Sequence, residues 1–283
     1  MTEMLEPFKL GETHKTEDPK CPFCPLTKNE QHYQTYEGEK NDGGKLGNLI
    51  NEPEKFGVSI EADARPKNGK AGKDGLNNQN FADTTDEKEE KVKKKDTDWT
   101  FQAHHAISGN QCLKGHKVEK YIKAGDKVKY DTGYSVNNPQ NGIWLPSSPI
   151  KHAWPTDPAD KFSLAKKAMN TFHRQFHLGH HNISVDSAGL DRDTDQNYAD
   201  AIKKLLSELQ NILSAWEFHC PEKDEKGKHR GNPIIHNALD QISKHIILKL
   251  KGNPSTWKFF VSRHARDYTI KVRNPKIKLD FER

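Results

Sequence analysis

Apolar residues return at helical spacing along three stretches of the chain. Over 198–218, Ala201, Leu205, Leu209, Ile212 and Trp216 share one stripe, which predicts a long amphipathic helix. Residues 233–250 repeat the pattern and predict a second. Leu164, Met169, Phe172 and Phe176 extend it to 162–177. A shorter helix is expected over 116–124, stopped by Gly125. Residues 99–107 (WTFQAHHAI) are short, apolar and aromatic, and read as a strand. A stretch rich in turn residues then ends in a second short strand over 143–145. The tail, 257–281, reads as helix followed by strand.

The polar positions divide the chain. Residues 1–61 hold a cysteine pair and little periodicity. Residues 62–98 are dominated by Gly, Asn, Asp and Lys and read as a loop or linker, with 86–95 (DEKEEKVKKK) a short exposed helix. Residues 99–218 carry the strands and the long helix, and 219–283 form a helical extension packing on them. The fold class expected is α+β, mainly helical.

Composition changes this picture only in part. Hydrophobic residues make up 32% and charged residues 30% of the 283. No apolar run approaches the roughly 18 residues of a membrane span, so no membrane insertion is expected. The first 20 residues lack the apolar core of a classical secretory signal. A net charge of +5 suits a polyanionic partner without requiring one.

Four cysteines are too few for a disulfide scaffold. Cys21 and Cys24 are separated by two residues, which lets both thiolates face one tetrahedral zinc ion. Cys220 is the expected third ligand of this structural zinc site, with Cys112 or a histidine as the fourth.

The chemistry concentrates in the histidines. His104 and His105 adjoin on the first strand, where neighbouring side chains point to opposite faces. Two tasks are therefore expected of them: one ring binding a metal, the other working on a water beside it. On a helix, His177 and His181 would share a face and grip one ion. His173 continues that stripe and is an alternative ligand, as is His180. Imidazole suits zinc, nickel and copper.

Ala103–His104–His105 resembles the name-giving motif of the AHH nucleases, within the HNH/endonuclease VII superfamily. The resemblance continues through Gly133–Tyr134–Ser135–Val136–Asn137 and Asn141–Gly142–Ile143, with Leu145–Pro146. It closes with His177, Gly179 and His181, then Tyr198 opening the long helix. Asn182 stands where the family usually has proline, and residues 183–197 separate the last histidine from the tyrosine.

What the resemblance implies is a small ββα-metal core flanked by the cysteine segment and the C-terminal helices. It implies that His104, His177 and His181 hold one divalent metal (Mg2+, Zn2+ or Ni2+). It implies His105 as general base and Asn141 as the residue that holds the connecting loop or orients His105. The activity implied is metal-dependent hydrolysis of DNA. The setting implied is a bacterial antibacterial toxin, made in the cytoplasm and carried by a type VI-like secretion system, with a cognate immunity protein. Two rival expectations remain: a zinc-stabilised nucleic-acid-binding module without catalysis, and a metallohydrolase of another substrate. Trp144 and Trp154 are candidates for base stacking, with core packing as the alternative. Lys114, Lys117, Lys120 and Lys123 are candidates for phosphate contact, with a solvated face as theirs.

Overall fold

The computed structural model describes residues 21, 23–24, 40–51, 70–71, 78–80, 99–149, 154–178, 198–220, 223–229 and 234–282. The fold is α+β and mainly helical, with a small antiparallel sheet, a cysteine cluster and the outline of a ββα-metal core. Its chain divides into two compact units. One comprises 42–106, 142–198 and 246–283. The other comprises 1–41, 107–141 and 199–245.

The first unit contains the sheet. Helix α1 (Gly43–Asn51) precedes strands β1 (Lys70–Ala71), β2 (Asn78–Asn80), β3 (Trp99–His105) and β4 (Gly142–Pro149). The strands lie in chain order and every neighbouring pair is antiparallel. β3 pairs with β4 through Ala103 opposite Trp144, His104 opposite Ile143 and His105 opposite Gly142. β4 is an edge strand, where Pro146 and Pro149 are tolerated because the ladder loses no inner donor.

β1 and β2 fall within the stretch that reads as linker. β1 is only Lys70–Ala71 and β2 is the all-polar Asn78–Asn80, both too short for any period to mark them. The expected helix over 86–95 lies outside the described residues. The apolar pattern does not announce α1 either: at nine residues it offers little more than Leu46 and Ile50. It packs on the Ala103–Trp144 face of the sheet, where Gly47 lets the indole approach; a Cβ there would stand 2.8 Å from the Trp144 ring. Trp144 is thus core, and Trp154 stacks on Phe176 at 5.4 Å between centroids.

Helix α2 (Pro158–Phe172) starts on Asp157, whose carboxylate accepts the Ala159 and Asp160 amides. The apolar spacing predicts a run to residue 177. Instead His173 adopts a left-handed conformation (φ 50°) and caps the helix. The chain then runs extended. Gln175 N–H reaches Leu250 O at 2.9 Å, and Arg174 pairs with Lys251 in an antiparallel bridge. Helix α5 (Arg263–Arg273) closes this core together with Trp257 and Phe260. The strand expected after it is not there; among the described residues the chain ends in a turn and a short 3-10 helix.

The second unit is built on helices α3 (Tyr198–His219) and α4 (Ile234–Leu250), which match the periodicity closely; the first residue of α3 and the last turn of α4 belong to the sheet unit. The helix expected over 116–124 is a 3-10 helix, Lys117–Tyr121, capped by His116. A π-helical turn, Gly109–Leu113, precedes it. Lys114 and Lys117 therefore stand on different elements, both exposed, and no single lysine face runs through the segment.

Candidate metal and catalytic site

Strand alternation sets the site. Gln102 and His104 point to one face of β3, Ala103 and His105 to the other. On the Gln102 face, the His104 ring meets His177 edge-on at 5.1 Å between centroids, and Tyr198 at 5.3 Å. His104 is 4% exposed and Tyr198 1%, so the cluster lies inside the sheet unit. His177 reaches it along the extended segment after α2: its N–H bonds to Pro146 O at 2.7 Å, on the outer edge of β4.

Hydrogen bonding fixes both imidazoles. The Tyr198 hydroxyl donates to the Ala106 carbonyl at 2.8 Å, which can only accept. Its oxygen then accepts from His104 Nε2–H at 3.0 Å, so neutral His104 carries its lone pair on Nδ1. His177 Nδ1 lies 2.6 Å from Gln102 Oε1 and donates to it, which leaves the lone pair on Nε2. Each ring thus has one nitrogen held by a neutral oxygen and its lone pair on the other. Metal-binding histidines take this form, so the residues present fit a divalent ion.

His105, on the opposite face, is the last residue of β3 and is 7% exposed. His180 and His181 lie outside the described residues. His173 is a helix cap, away from the helical stripe that would have joined it to His177. His177 itself is on extended chain, so the i, i+4 pairing expected of His177 and His181 on one helix does not hold at this end.

Residues 85–246 match the family described as AHH, "a nuclease family of the HNH/ENDO VII superfamily with conserved AHH". That is more than half of the chain. The protein belongs to the AHH nuclease family. Residues 85–246 are accordingly a nuclease domain of the HNH/ENDO VII superfamily. No curated protein and no solved structure matches the chain.

In this AHH protein Asn141 is fully buried and uses all four of its hydrogen-bonding positions. Its Oδ1 accepts Ile107 N–H at 2.7 Å and Ser243 Oγ–H at 2.9 Å. Its Nδ2 donates to Ile107 O at 2.9 Å and Val136 O at 2.7 Å. No capacity is left for a water or a phosphate. Asn141 thus ties the backbone at residues 107 and 136 to Ser243. Gln102 escapes a reading of the sequence, although it stands two residues before His104 on the same strand face. The family pattern places Tyr198 but gives it no role.

A separate cluster lies in the helical unit. The Sγ atoms of Cys21, Cys24 and Cys220 are all within 4.8 Å of one another, and all three residues are buried and reduced. They can hold a metal ion. A hydrogen bond that its neutral thiol makes to Cys220, then burial, raises Cys21 far above the ordinary range, as expected where neutral thiols crowd together in a buried place. Cys112 does not join them: its thiol faces Ala199 O at 4.0 Å, and burial pushes it up to about 11. Among the described residues, no helix is long and apolar enough to cross a membrane.

Proposed function

We propose that the protein is a metal-dependent endonuclease that hydrolyses DNA phosphodiester bonds. The observation that carries this reading is the meeting of His104 with His177, each with one nitrogen already held by a neutral oxygen, inside an AHH-family domain. His104 through Nδ1 and His177 through Nε2 would hold one divalent ion (Mg2+, Zn2+ or Ni2+), with His181 as the third ligand. When bound, the ion would supply a Lewis acid for phosphodiester hydrolysis. His105 accepts a proton from the attacking water as the new P–O bond forms and the bond to the 3′ oxygen breaks. Imidazole, with an ordinary pKa near ~6.5, suits that transfer at neutral pH.

The family and the basic charge support a DNA substrate and a role as a bacterial antibacterial toxin. In that reading the protein is made in the cytoplasm, carried into a target cell by a type VI-like system, and neutralised in the producer by an immunity protein. A second reading, a zinc-stabilised nucleic-acid-binding module, draws on the three buried thiols.

Supercoiled plasmid separates the two. The wild-type protein with Mg2+, Zn2+ or Ni2+ should nick it, and EDTA should stop the reaction. His105→Ala should slow nicking by about 10²–10⁴-fold while plasmid binding is kept. Plasmid and RNA left intact with every metal, together with unchanged binding by His105→Ala, would favour the binding module.

A further inference from the structure

We propose that Cys21, Cys24, Cys220 and His229 form a structural zinc site that fastens the first cysteine pair to the C-terminal end of α3. The proposal stands apart from the nuclease reading, because all four residues lie in the helical unit.

Thiolates on a tetrahedral zinc ion, with Zn–S near ~2.3 Å, sit roughly 3.8 Å apart. The three sulfurs already lie within 4.8 Å of one another, so a small contraction closes the triangle. The local backbone is shaped for it. Phe23 N–H points at Cys21 Sγ at 3.4 Å, and Cys24 N–H bonds to Cys21 O at 3.4 Å, closing a tight turn between the two thiols. An amide aimed at sulfur favours the thiolate, the form a metal takes. Cys220 arrives from elsewhere: its N–H still bonds to Trp216 O at 2.9 Å, one step beyond α3.

The surroundings of the turn are dry: Cys21 and Cys24 are 1% and 3% exposed, and Phe23 is fully buried against Tyr121 and His229. A tetrahedral ion joining the pair to α3 would add its binding free energy to folding.

His229 is the fourth donor by placement. It is 0% exposed, and its ring stacks on Phe23, a residue between the two thiols, at 4.4 Å and 23°. Its backbone is pinned on both sides, N–H to Lys127 O at 2.9 Å and O to Lys129 N–H at 2.7 Å. A turn returns the chain from Cys220 to it, with Asp224 Oδ1 accepting Lys226 N–H at 2.9 Å and Lys228 N–H at 2.8 Å. Among the described residues no fourth donor completes the 4.8 Å group, so the His229 ring must turn on this fixed backbone to ligate. His219 is the poorer choice, placed beside the exposed Phe218. Four protein ligands leave no open position, which makes the site structural.

The test uses the full chain, purified reduced, stripped of metal and titrated with cobalt(II). Thiolate ligation gives a sulfur-to-cobalt charge-transfer absorption in the near ultraviolet, which imidazoles at His104 and His177 cannot supply. One equivalent should develop that band, and zinc(II) should bleach it. Cys112→Ser should behave as wild type. His229→Ala should keep the band but bind zinc at least about tenfold more weakly, since even outer partners of metal ligands cost that much. No band with fully reduced thiols overturns the site, and the wild-type titration decides this even if Cys24→Ser fails to fold. Unchanged zinc affinity in His229→Ala overturns the fourth ligand.

Discussion

At the scale of single residues, Tyr198 and Asn141 are both buried hydrogen-bond hubs, yet their removal should read out differently. Tyr198→Phe keeps the ring, its contact with His104 and its edge-on packing against Phe259, and deletes the oxygen that receives His104 Nε2–H and donates to Ala106 O. Metal affinity and plasmid nicking should fall by about 10–100-fold, the usual cost of losing a partner that orients a metal ligand. Stability should fall by only about 1–3 kcal/mol, the cost of leaving the buried Ala106 carbonyl without its donor. A variant with full activity and ordinary metal affinity would remove Tyr198 from the site. Asn141→Ala strands Ile107 N–H and O and Val136 O together, while Ser243 Oγ–H keeps the Leu239 carbonyl at 3.0 Å. At about 1–3 kcal/mol for each buried group left unsatisfied, the loss of stability should exceed about 3 kcal/mol in denaturant unfolding. A stable but inactive Asn141→Ala would return this residue from the loop to the chemistry.

His236 and Asp240, one turn apart on α4, set a pH prediction in the helical unit. Burial lowers His236 to about 4 and raises Asp240 to about 6. His236 faces Thr132 Oγ1 at 3.2 Å and the Tyr134 ring at 5.6 Å, both neutral. Its contribution is present above its unfolded value of 6.5 and is lost as the pH falls through 4. Asp240 acts in the opposite sense: its contribution is present below 3.8 and is lost as the pH rises through 6. Across that window the two offset each other. Asp240→Asn should therefore lose stability on acidification more steeply than wild type, and His236→Gln should gain it. Equal slopes in both variants, in unfolding measured from about pH 7 to about pH 4, would contradict the pairing.

At the scale of elements, Gly47 shows a local preference yielding to packing. Alanine inside α1 should gain about 1 kcal/mol of helix propensity. Its Cβ, however, would stand 2.8 and 3.1 Å from two atoms of the Trp144 ring, a rigid side chain that is 1% exposed. Overpacking of this kind costs about 1–3 kcal/mol, so Gly47→Ala should be neutral to destabilising by about 2 kcal/mol in urea unfolding. A clear gain in stability would mean that α1 is free to move off the sheet. The same contest explains what is legible in the sequence. α3 and α4 are, because leucine and isoleucine repeat over enough turns to set the period. β3 is, and with it the separation of His104 from His105, because alternation needs only a strand. The end of α2 is not. His173 caps it through a left-handed backbone that nothing in Phe172 or Arg174 announces, and the following residues pair with Leu250 and Lys251, far along the chain. His177 is therefore the residue the motif indicates, carried on extended chain rather than on a helix. Gln102 stays hidden because its role depends on that displaced histidine. The cysteine triad is legible by residue type, since thiols at this spacing have few uses in such a chain, but only folding excludes Cys112.

At the scale of the whole molecule, charge decides how the protein should meet a duplex. A net charge of +5 spread over 283 residues, with Lys114, Lys117 and Lys123 all exposed, favours phosphate contacts that carry no sequence information. Each phosphate neutralised contributes a slope of about −0.9 to the logarithm of affinity against the logarithm of salt, so a fourfold rise in salt costs roughly threefold per contact. Nicking at limiting plasmid should therefore fall steeply between about 50 and 200 mM salt, while the rate at saturating plasmid changes much less. In the proposed mechanism the chemical step rests on His104, His105 and His177; the first two are buried, the rings of His104 and His177 are held by neutral oxygens, and salt screens such groups weakly. Replacing Lys117 and Lys123 together by glutamine should lower the salt slope without altering the saturated rate. If the saturated rate fell with salt as steeply as the limiting one, the ions would be acting on the catalytic centre rather than on encounter, and binding to phosphate would no longer account for the basic charge.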